Sequence, residues 1–391
     1  MKIFYLSLTA VVVLTAHSAM AQAQQSNSNN IDVKNGHVYI GEVSQKVPLL
    51  KNGAEDKAVA VGDKTKVGES AVAVGYEADA HFEGATAVGR GTKTQAYAVA
   101  MGYQANAGVQ AVSIGKDSKA IGVQSVALGD QAKATGKLSS AFGQNAQAAG
   151  HYSNAFGWHS NARNELATAI GYKANATGKR SIVLGPDSTA SGEGSLSFGS
   201  GVHTTKDNSF SMGRNINNKG TKTTVIGNNI DVEVENSVFL GDSSAYVEKG
   251  DTTGGIGKVD GNYAATNATG VVSVGSKGNE RRIQNVAAGL LSHQSTDAVN
   301  GSQLHATNQR LEEVNKDAKA GIAAAMAFKD VPFVPGKWSY AAGAARYSSE
   351  SAVSLNLGRT SNDGKWAVSG GMSSDSRGRI GFRVGVSGVF N

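Results

Sequence analysis

The feature that most constrains this chain is a short repeat. Five-residue runs closing on glycine begin with AVAVG at 58–62 and AVAVG at 71–75, and continue to TTVIG at 223–227 and SVFLG at 237–241. Fourteen copies occur, each 13 or 14 residues after the last, and a fixed period of this length decides the architecture before any other feature is weighed. In most runs a large apolar residue precedes the glycine while small residues stand two and four places before it, the alternation of a short strand. A second glycine follows many of the first, at Gly122, Gly136, Gly150, Gly178, Gly192 and Gly220, with Asn164 taking its place once. Glycine and asparagine accept positive φ, so each copy is expected to hold two tight turns. Between the turns, segments such as EADA and QANA alternate again, and Ala78, Ala105, Ala132 and Ala174 are the expected inward positions.

A unit this small cannot bury a face alone, but copies stacked in register pair as two parallel sheets. A β-roll solenoid is predicted, and at about 4.8 Å per rung its fourteen copies reach roughly 65 Å. Apolar residues such as Val61, Val74, Met101, Leu128, Phe156 and Leu184 line one edge as a row. A narrow roll that takes only small side chains inside leaves an apolar surface in need of a partner, which favours an oligomer. Which row fills the roll and which meets a neighbouring chain is open from the sequence.

Composition narrows the class. The chain has 50 glycines in 391 residues, far from the roughly one third that a collagen-like triplet needs. Charged residues are 17% and apolar ones 40%, so it is not a charge-rich disordered polymer. With no cysteine, disulfides, thiolate nucleophiles and cysteine-based metal sites are excluded. The net charge of +6 is dispersed, with 16 basic and 14 acidic residues over 58–241 and 7 and 3 over 337–391. No basic stripe is expected where a duplex could lie, and nucleic acid is not an expected partner.

Residues 1–23 carry one early cation at Lys2, an apolar run from Ile3 to Ala16 and two overlapping small-x-small sites, the pattern of a secretory signal peptide cut after Ala21 or Ala23. A buried helix or membrane anchor is the competing reading, but the run is short for a bilayer and is followed by polar QAQQSNSNN. No later stretch approaches a transmembrane helix.

A β-barrel is another matter. After Pro332 and Pro335 four runs alternate, at 337–348, 351–360, 365–374 and 379–390, separated by turn residues. One face carries Trp338, Tyr340, Val353, Leu355, Leu357, Trp366, Val368, Met372, Ile380, Phe382, Val384, Val386 and Phe390, while the other carries Ser, Ala, Gly, Asn356 and Arg383. Apolar outside with small or polar inside is the transmembrane barrel pattern, with a soluble four-stranded meander as the alternative. Closure takes at least about eight strands, so one chain cannot suffice and three copies would give twelve. Small inner residues Gly343, Gly371 and Gly385 would leave room in the lumen.

Between these parts, Leu304, Leu311, Ala318 and Ala325 fall at one heptad position and Thr307, Val314, Gly321 and Phe328 at the other, consistent with a short parallel coiled coil. A single amphipathic helix packed on a domain would show the same spacing. Residues 242–270 lose the period and read as a long loop, and within it 254–260 nearly matches a calcium nonapeptide. Its Asp260 is one place late and the copy is single, so no metal is expected there.

Taken together, the parts resemble the trimeric autotransporter adhesins typified by YadA, in their order over nearly all of the mature chain. The most specific segment is the neck, VVSVGSKGNERRIQNVAAGL followed by TDAVNGSQL, which is similar to the family at Val274, Gly275, Arg281, Ile283, Asn285, Val286, Ala287, Gly289, Thr296, Asp297, Ala298, Val299, Asn300, Gln303 and Leu304. The head pentads are similar to the family's NSVAIG motif, most closely at 236–241 and 125–129. The resemblance implies a mostly β homotrimer: a left-handed parallel β-roll head, a neck, a short coiled coil and a twelve-stranded barrel of four strands per chain. It divides the chain into a signal peptide (1–23), a head cap (24–57), the head (58–241), a loop (242–270), the neck (271–304), a coiled coil and lumen helix (305–331) and a membrane anchor (332–391).

It further implies an adhesin at the outer membrane and cell surface of a Gram-negative bacterium, exporting itself through its own barrel. Its implied partners are a host matrix protein such as collagen, outer-membrane lipid and the barrel-insertion machinery. Candidate ligand contacts are Ser125, Val126, Ala127, Leu128, Asn236, Ser237, Val238, Phe239 and Leu240. Candidate trimer contacts are Arg281, Arg282, Ile283, Val286, Asp297, Val299, Asn300, Leu304 and Leu311. Membrane contacts are Trp338, Tyr340, Trp366, Phe382 and Phe390. The chain departs from the family in its almost absent stalk, in Gly301 and in ending Phe390-Asn391.

Enzyme chemistry finds no foothold. The eight histidines are scattered, and neither HExxH, GxSxG nor a phosphate-binding GxxxxGK[ST] run occurs. His151 and His159 lie in successive turns and could approach one another, but solvated turn residues are the plainer reading. A left-handed β-helix acyltransferase would need rungs of about eighteen residues, and an ice-binding solenoid a ladder of Thr-x-Thr that occurs here only at 92–94 and 221–223. No enzyme activity, cofactor or metal is expected.

Overall fold

The computed structural model describes residues 31–34, 37–44, 57–248, 264–265 and 267–389. The expected signal peptide, most of the expected head cap, the calcium-like segment at 254–260, Phe390 and Asn391 lie outside the described residues. The chain divides into two compact units, residues 1–252 with 267–282 and residues 253–266 with 283–391.

The first unit is the solenoid. Each rung supplies two short parallel strands, such as Val126–Leu128 and Lys133–Ala134, and each strand pairs with its equivalents one rung before and one rung after. The strand centres Ala60, Ala73, Ala87, Ala100, Ala127 and Ala141 are fully buried, as are Ala78, Ala105, Ala132 and Ala174 from the second strands. The question of which row faces inward is thereby settled. The two sheets lie so close that alanine and serine fill the space between them, and the large residues on either side of each strand centre point out. Ile114, Ile170, Leu184, Met212 and Ile226 are therefore exposed. Where serine replaces alanine inside, its hydroxyl is satisfied: Ser125, Ser139, Ser153, Ser181 and Ser195 each donate to a turn carbonyl at 2.7 Å.

One expected reason is corrected. Gly122, Gly136, Gly150, Gly178, Gly192 and Gly220 do not take positive φ; the left-handed residue of the second turn comes two places later, at Gln124, Leu138, Tyr152 and Arg180. Those glycines are required by close approach instead. A Cβ on Gly136 would meet the carbonyl of Gly150, and one on Gly122 the carbonyl of Gly136. The glycines that close the pentads do take positive φ, 126° at Gly75 and 136° at Gly129. Gly136→Ala is accordingly expected to destabilise the roll by about 1–3 kcal/mol, since backbone and not a flexible side chain must yield. Calorimetric melting checks this against Gly301→Ala, whose added Cβ meets nothing within 4 Å.

The solenoid extends beyond the repeat at both ends. His37–Ile40 pairs in parallel with Val59–Val61, Tyr39 takes the buried slot, and Ile31–Lys34 folds back antiparallel on this added rung. HVYIG at 37–41 is thus a further pentad that the interrupted spacing conceals. After the loop, Val272–Ser273 adds a short strand beside Val238–Leu240. Towards that end the interior enlarges, with Val202, Ile216, Ile230 and Phe239 buried, and the strands lengthen to nine residues at Leu196–Thr204, Phe210–Asn218 and Thr224–Val232.

The second unit holds one long helix, Gly301–Ala327, and a four-stranded antiparallel meander of Trp338–Tyr347, Glu350–Thr360, Trp366–Asp375 and Ile380–Gly388. Asn300 opens the helix with a capping box, accepting from the Gln303 backbone N–H while Gln303 accepts from its own. The helix lays Ala323, Ala324 and Ala327 against Ala345 and Ala352 of the sheet, and Ala320 on the same stripe is buried as well. Ser354 donates to the carbonyl of Ala327 at 2.6 Å, satisfying a group that the helix end leaves free. A Cβ on Gly343 would meet that same carbonyl, so the room this glycine leaves is taken by the helix.

Candidate functional site

Three surfaces carry the functional question: the outer faces of the roll, the neck and the sheet of the second unit. On the roll, the sequence candidates for ligand contact divide by geometry. Ser125, Ala127, Ser237 and Phe239 are buried inside it, out of reach of any ligand in the folded state, which corrects their expected role. The alternation that makes a strand puts every second residue of the motif inward. Val126, Leu128, Val238 and Leu240 stand on the outward apolar rows, and Asn236 holds a turn at φ 50°, donating to the carbonyl of Thr269 at 3.3 Å.

His151 and His159 are not brought together. His151 accepts from the Lys137 backbone N–H at 3.0 Å in one turn, whereas His159 packs edge-on against Trp158 in the opposite turn. The expectation that no basic stripe exists also needs correction. The register aligns Lys93, Asn106, Lys119 and Lys133 on neighbouring strands, a grouping hidden when charges are counted along the chain. Elsewhere on the roll charges are paired: Lys179 lies 3.0 Å from Glu165 and holds that carboxyl below its usual range.

In the neck, Arg281 donates to the carbonyls of Val274 and Asp242, each at 2.8 Å, so its guanidinium clasps the last turn of the roll. The Gly278 N–H donates to Glu280 at 2.9 Å and keeps its carboxyl below the ordinary range. Further on, Asp297 accepts from the Leu290 N–H at 2.9 Å and Asn300 donates to the Val286 carbonyl at 3.1 Å. Gln303, which the sequence marked only as part of the motif, proves central: it donates to the Gly289 carbonyl at 2.7 Å and accepts from the Gly289 N–H at 3.0 Å. Ile283, Leu290, Leu291, Val299, Leu304 and Leu311 are more than half exposed in the single chain. Arg282 makes no hydrogen bond among the described residues. Arg281→Ala is expected to lower stability by about 1–2 kcal/mol and Arg281→Lys to restore little of it, because two carbonyls need the forked donor. The melting temperatures of both variants, with Arg282→Ala beside them, check this.

On the sheet, Trp338, Tyr340, Val353, Leu355, Leu357, Trp366, Phe382, Val384 and Val386 share one face and are at least half exposed. The opposite face is small and polar, with Ala352, Ser354, Asn356, Thr360, Ala367 and Ser373 buried. Asp317 of the helix lies 2.6 Å from Arg377 and also pairs with Arg379, and Arg383 reaches Asp330 at 3.0 Å. The expected heptad seam and the alanine stripe occupy different faces of the helix: Leu304, Leu311, Ala318 and Ala325 are exposed while the stripe is covered. No helix among the described residues is long and apolar enough to cross a membrane.

Comparison with known proteins finds matches in three parts of the chain. The YadA head domain repeat matches residues 67–92, 108–132, 134–160, 162–188 and 176–201. The coiled stalk of trimeric autotransporter adhesin matches 282–325, and the YadA-like membrane anchor domain matches 332–390. Among curated proteins, the trimeric autotransporter adhesin AtaA of Acinetobacter sp. strain Tol 5 is 48% identical over 85 residues, 22% of this chain. The autotransporter adhesin BtaE of Brucella suis is 60% identical over 52 residues, 13% of this chain. The chain spans 2% and 7% of the length of these two relatives. Among solved structures, the collagen-binding domain of the Yersinia adhesin YadA is 20% identical, with 63% of this chain and 86% of that one covered and a TM-score of 0.21. Head repeats, stalk and anchor, matched in the order in which the two units present them, place the chain in the YadA-like trimeric autotransporter adhesins.

Proposed function

We propose that three copies of this chain form a surface adhesin that closes its own outer-membrane pore. The observation that carries this reading is the C-terminal sheet: four strands, apolar on one face, small on the other, and paired in the order of a meander whose first and last strands keep an open edge. A bilayer does not accept open edges, and three such sheets joined edge to edge make twelve strands with no edge left. The outward apolar rows of the roll and, separately, the exposed apolar residues of neck and helix give the same three copies apolar surfaces to bury against one another. Trp338, Tyr340, Trp366 and Phe382 then meet lipid, and the helices fill the lumen. Export begins with the signal peptide at 1–23, and barrel insertion calls on the cell's assembly machinery.

The head binds a host matrix protein through shallow contacts repeated from rung to rung and multiplied over three copies. Collagen is the ligand class proposed first, by analogy with the Yersinia head domain described as collagen-binding. Light scattering of the full-length protein in detergent should give the mass of three chains, and cells displaying it should bind immobilised collagen above a non-displaying control. A stable monomer would end the assembly reading; failure on every matrix protein of a panel would end the ligand reading alone.

A further inference from the structure

The second sheet of the roll carries an uncompensated cationic ladder. Lys93, Lys119 and Lys133 each occupy the outward position of a two-residue strand whose other residue is buried, and all three are exposed. Strand pairing sets Lys93 beside Asn106, Asn106 beside Lys119 and Lys119 beside Lys133, after which Gln147 and Asn161 continue the row. Rungs about 4.8 Å apart place the three lysine stems over roughly 15 Å of one flat face. Among the described residues none of the three forms an ion pair. The acid that precedes the row, Asp79, is engaged by Lys66 at 3.5 Å and by His81 at 2.5 Å. No acidic residue stands in the row from Lys93 to Asn161.

We infer that this ladder is a binding surface for a sulfated polysaccharide chain, separate from any matrix-protein contact. Charge complementarity calls for a linear polyanion, since cations repeat along a line and do not converge on a pocket. Two features favour a sulfated glycan over a nucleic acid. Binding single-stranded nucleic acid without sequence preference relies on aromatic side chains that stack bases, and this row has none. Its lysines are point charges suited to sulfate, and Asn106, Gln147 and Asn161 offer amides to the hydroxyls of a sugar between charges. Lysines on a flat sheet contact such a chain without ordering a loop, so the site needs no conformational change.

The test uses the full-length protein in detergent and a fluorescent heparin oligosaccharide as probe, titrated at several salt concentrations. The triple variant K93Q/K119Q/K133Q is expected to bind about tenfold more weakly than the wild type, a few-fold for each exposed pair lost, and with a shallower salt dependence. A control triple of equal charge change, K173Q/K206Q/K222Q, should stay within about twofold, and the lysine-to-arginine triple should keep binding, because charge and not shape carries the contact. These outcomes support the ladder. It is overturned if the wild type does not bind heparin, if both glutamine triples weaken alike, or if desulfated heparin binds as well. Equal affinity for oligothymidylate, lost equally in the ladder variant, overturns the glycan assignment in favour of a nucleic acid. Light scattering on the same samples separates a failure of the ladder from a failure of the trimer.

Discussion

With Ile170 and Leu184 both changed to Glu, the head should no longer hold three chains together. These residues are direct partners on adjacent rungs, 38% and 47% exposed in the single chain, in the middle of the outward apolar rows. Covering a Leu or Ile side chain contributes about 1.5–3 kcal/mol, and a three-fold assembly multiplies each position by three. The substitution removes that burial six times over and sets six carboxylates near one another in a water-poor seam, where like charges resist ionising together. Fold and assembly separate cleanly in this experiment. Both side chains point away from the alanine interior, so rung pairing and the circular dichroism of the roll should survive. Crosslinking between head domains and the cooperative melting of the trimer should not. Retention of both would show that the apolar rows face solvent and that the seam lies elsewhere.

The same residues show how far the sequence could be read. Alternation identified two faces for every strand, but Val61 and Ala60 could exchange inside and outside without altering the pattern. What decides is the spacing between the two sheets, a tertiary quantity: along most rungs little more than a methyl or hydroxymethyl group fits, with Tyr39, Val67 and Val183 as larger buried exceptions before the roll widens around Ile216 and Phe239. The glycines were legible as necessary and illegible in their reason, because positive φ at Gly129 and backbone contact at Gly136 both exclude a side chain. In the helix, the heptad seam at Leu304 and Leu311 was visible, whereas Ala320, Ala323, Ala324 and Ala327 looked like its fading end and proved to be a second, covered face. The lysine ladder escaped notice because its lysines stand 26 and 14 residues apart in the chain and fall into one row, with Asn106 between the first two, only through strand register. The shared, exposed apolar face of Trp338, Tyr340, Trp366 and Phe382 was legible, since strict alternation along each strand already puts these side chains on one side of the sheet.

Removal of residues 332–391 should reduce the head at the cell surface to background, and removal of 380–391 alone should do the same. The second deletion is the sharper test. It leaves the helix, its alanine stripe and three strands intact, but Trp366–Asp375 loses the partner with which it pairs from Trp366 to Ser374. Each chain then offers one fewer strand and a newly opened edge at the height of the lipid tails, where every unsatisfied backbone group costs several kcal/mol. Summed over three chains, that cost far exceeds the 5–15 kcal/mol by which folded proteins are usually stable, so loss should be complete and not graded. Surface labelling with an antibody to the head on intact cells, against total protein in lysates, measures it. Normal display of either truncation would contradict the anchor assignment. A control with Gly343→Ala asks a different question, since its Cβ meets the Ala327 carbonyl while all four strands of the sheet keep their pairings. There the barrel should still assemble, and the helix inside it should pack less tightly, giving reduced thermal stability with the head still displayed.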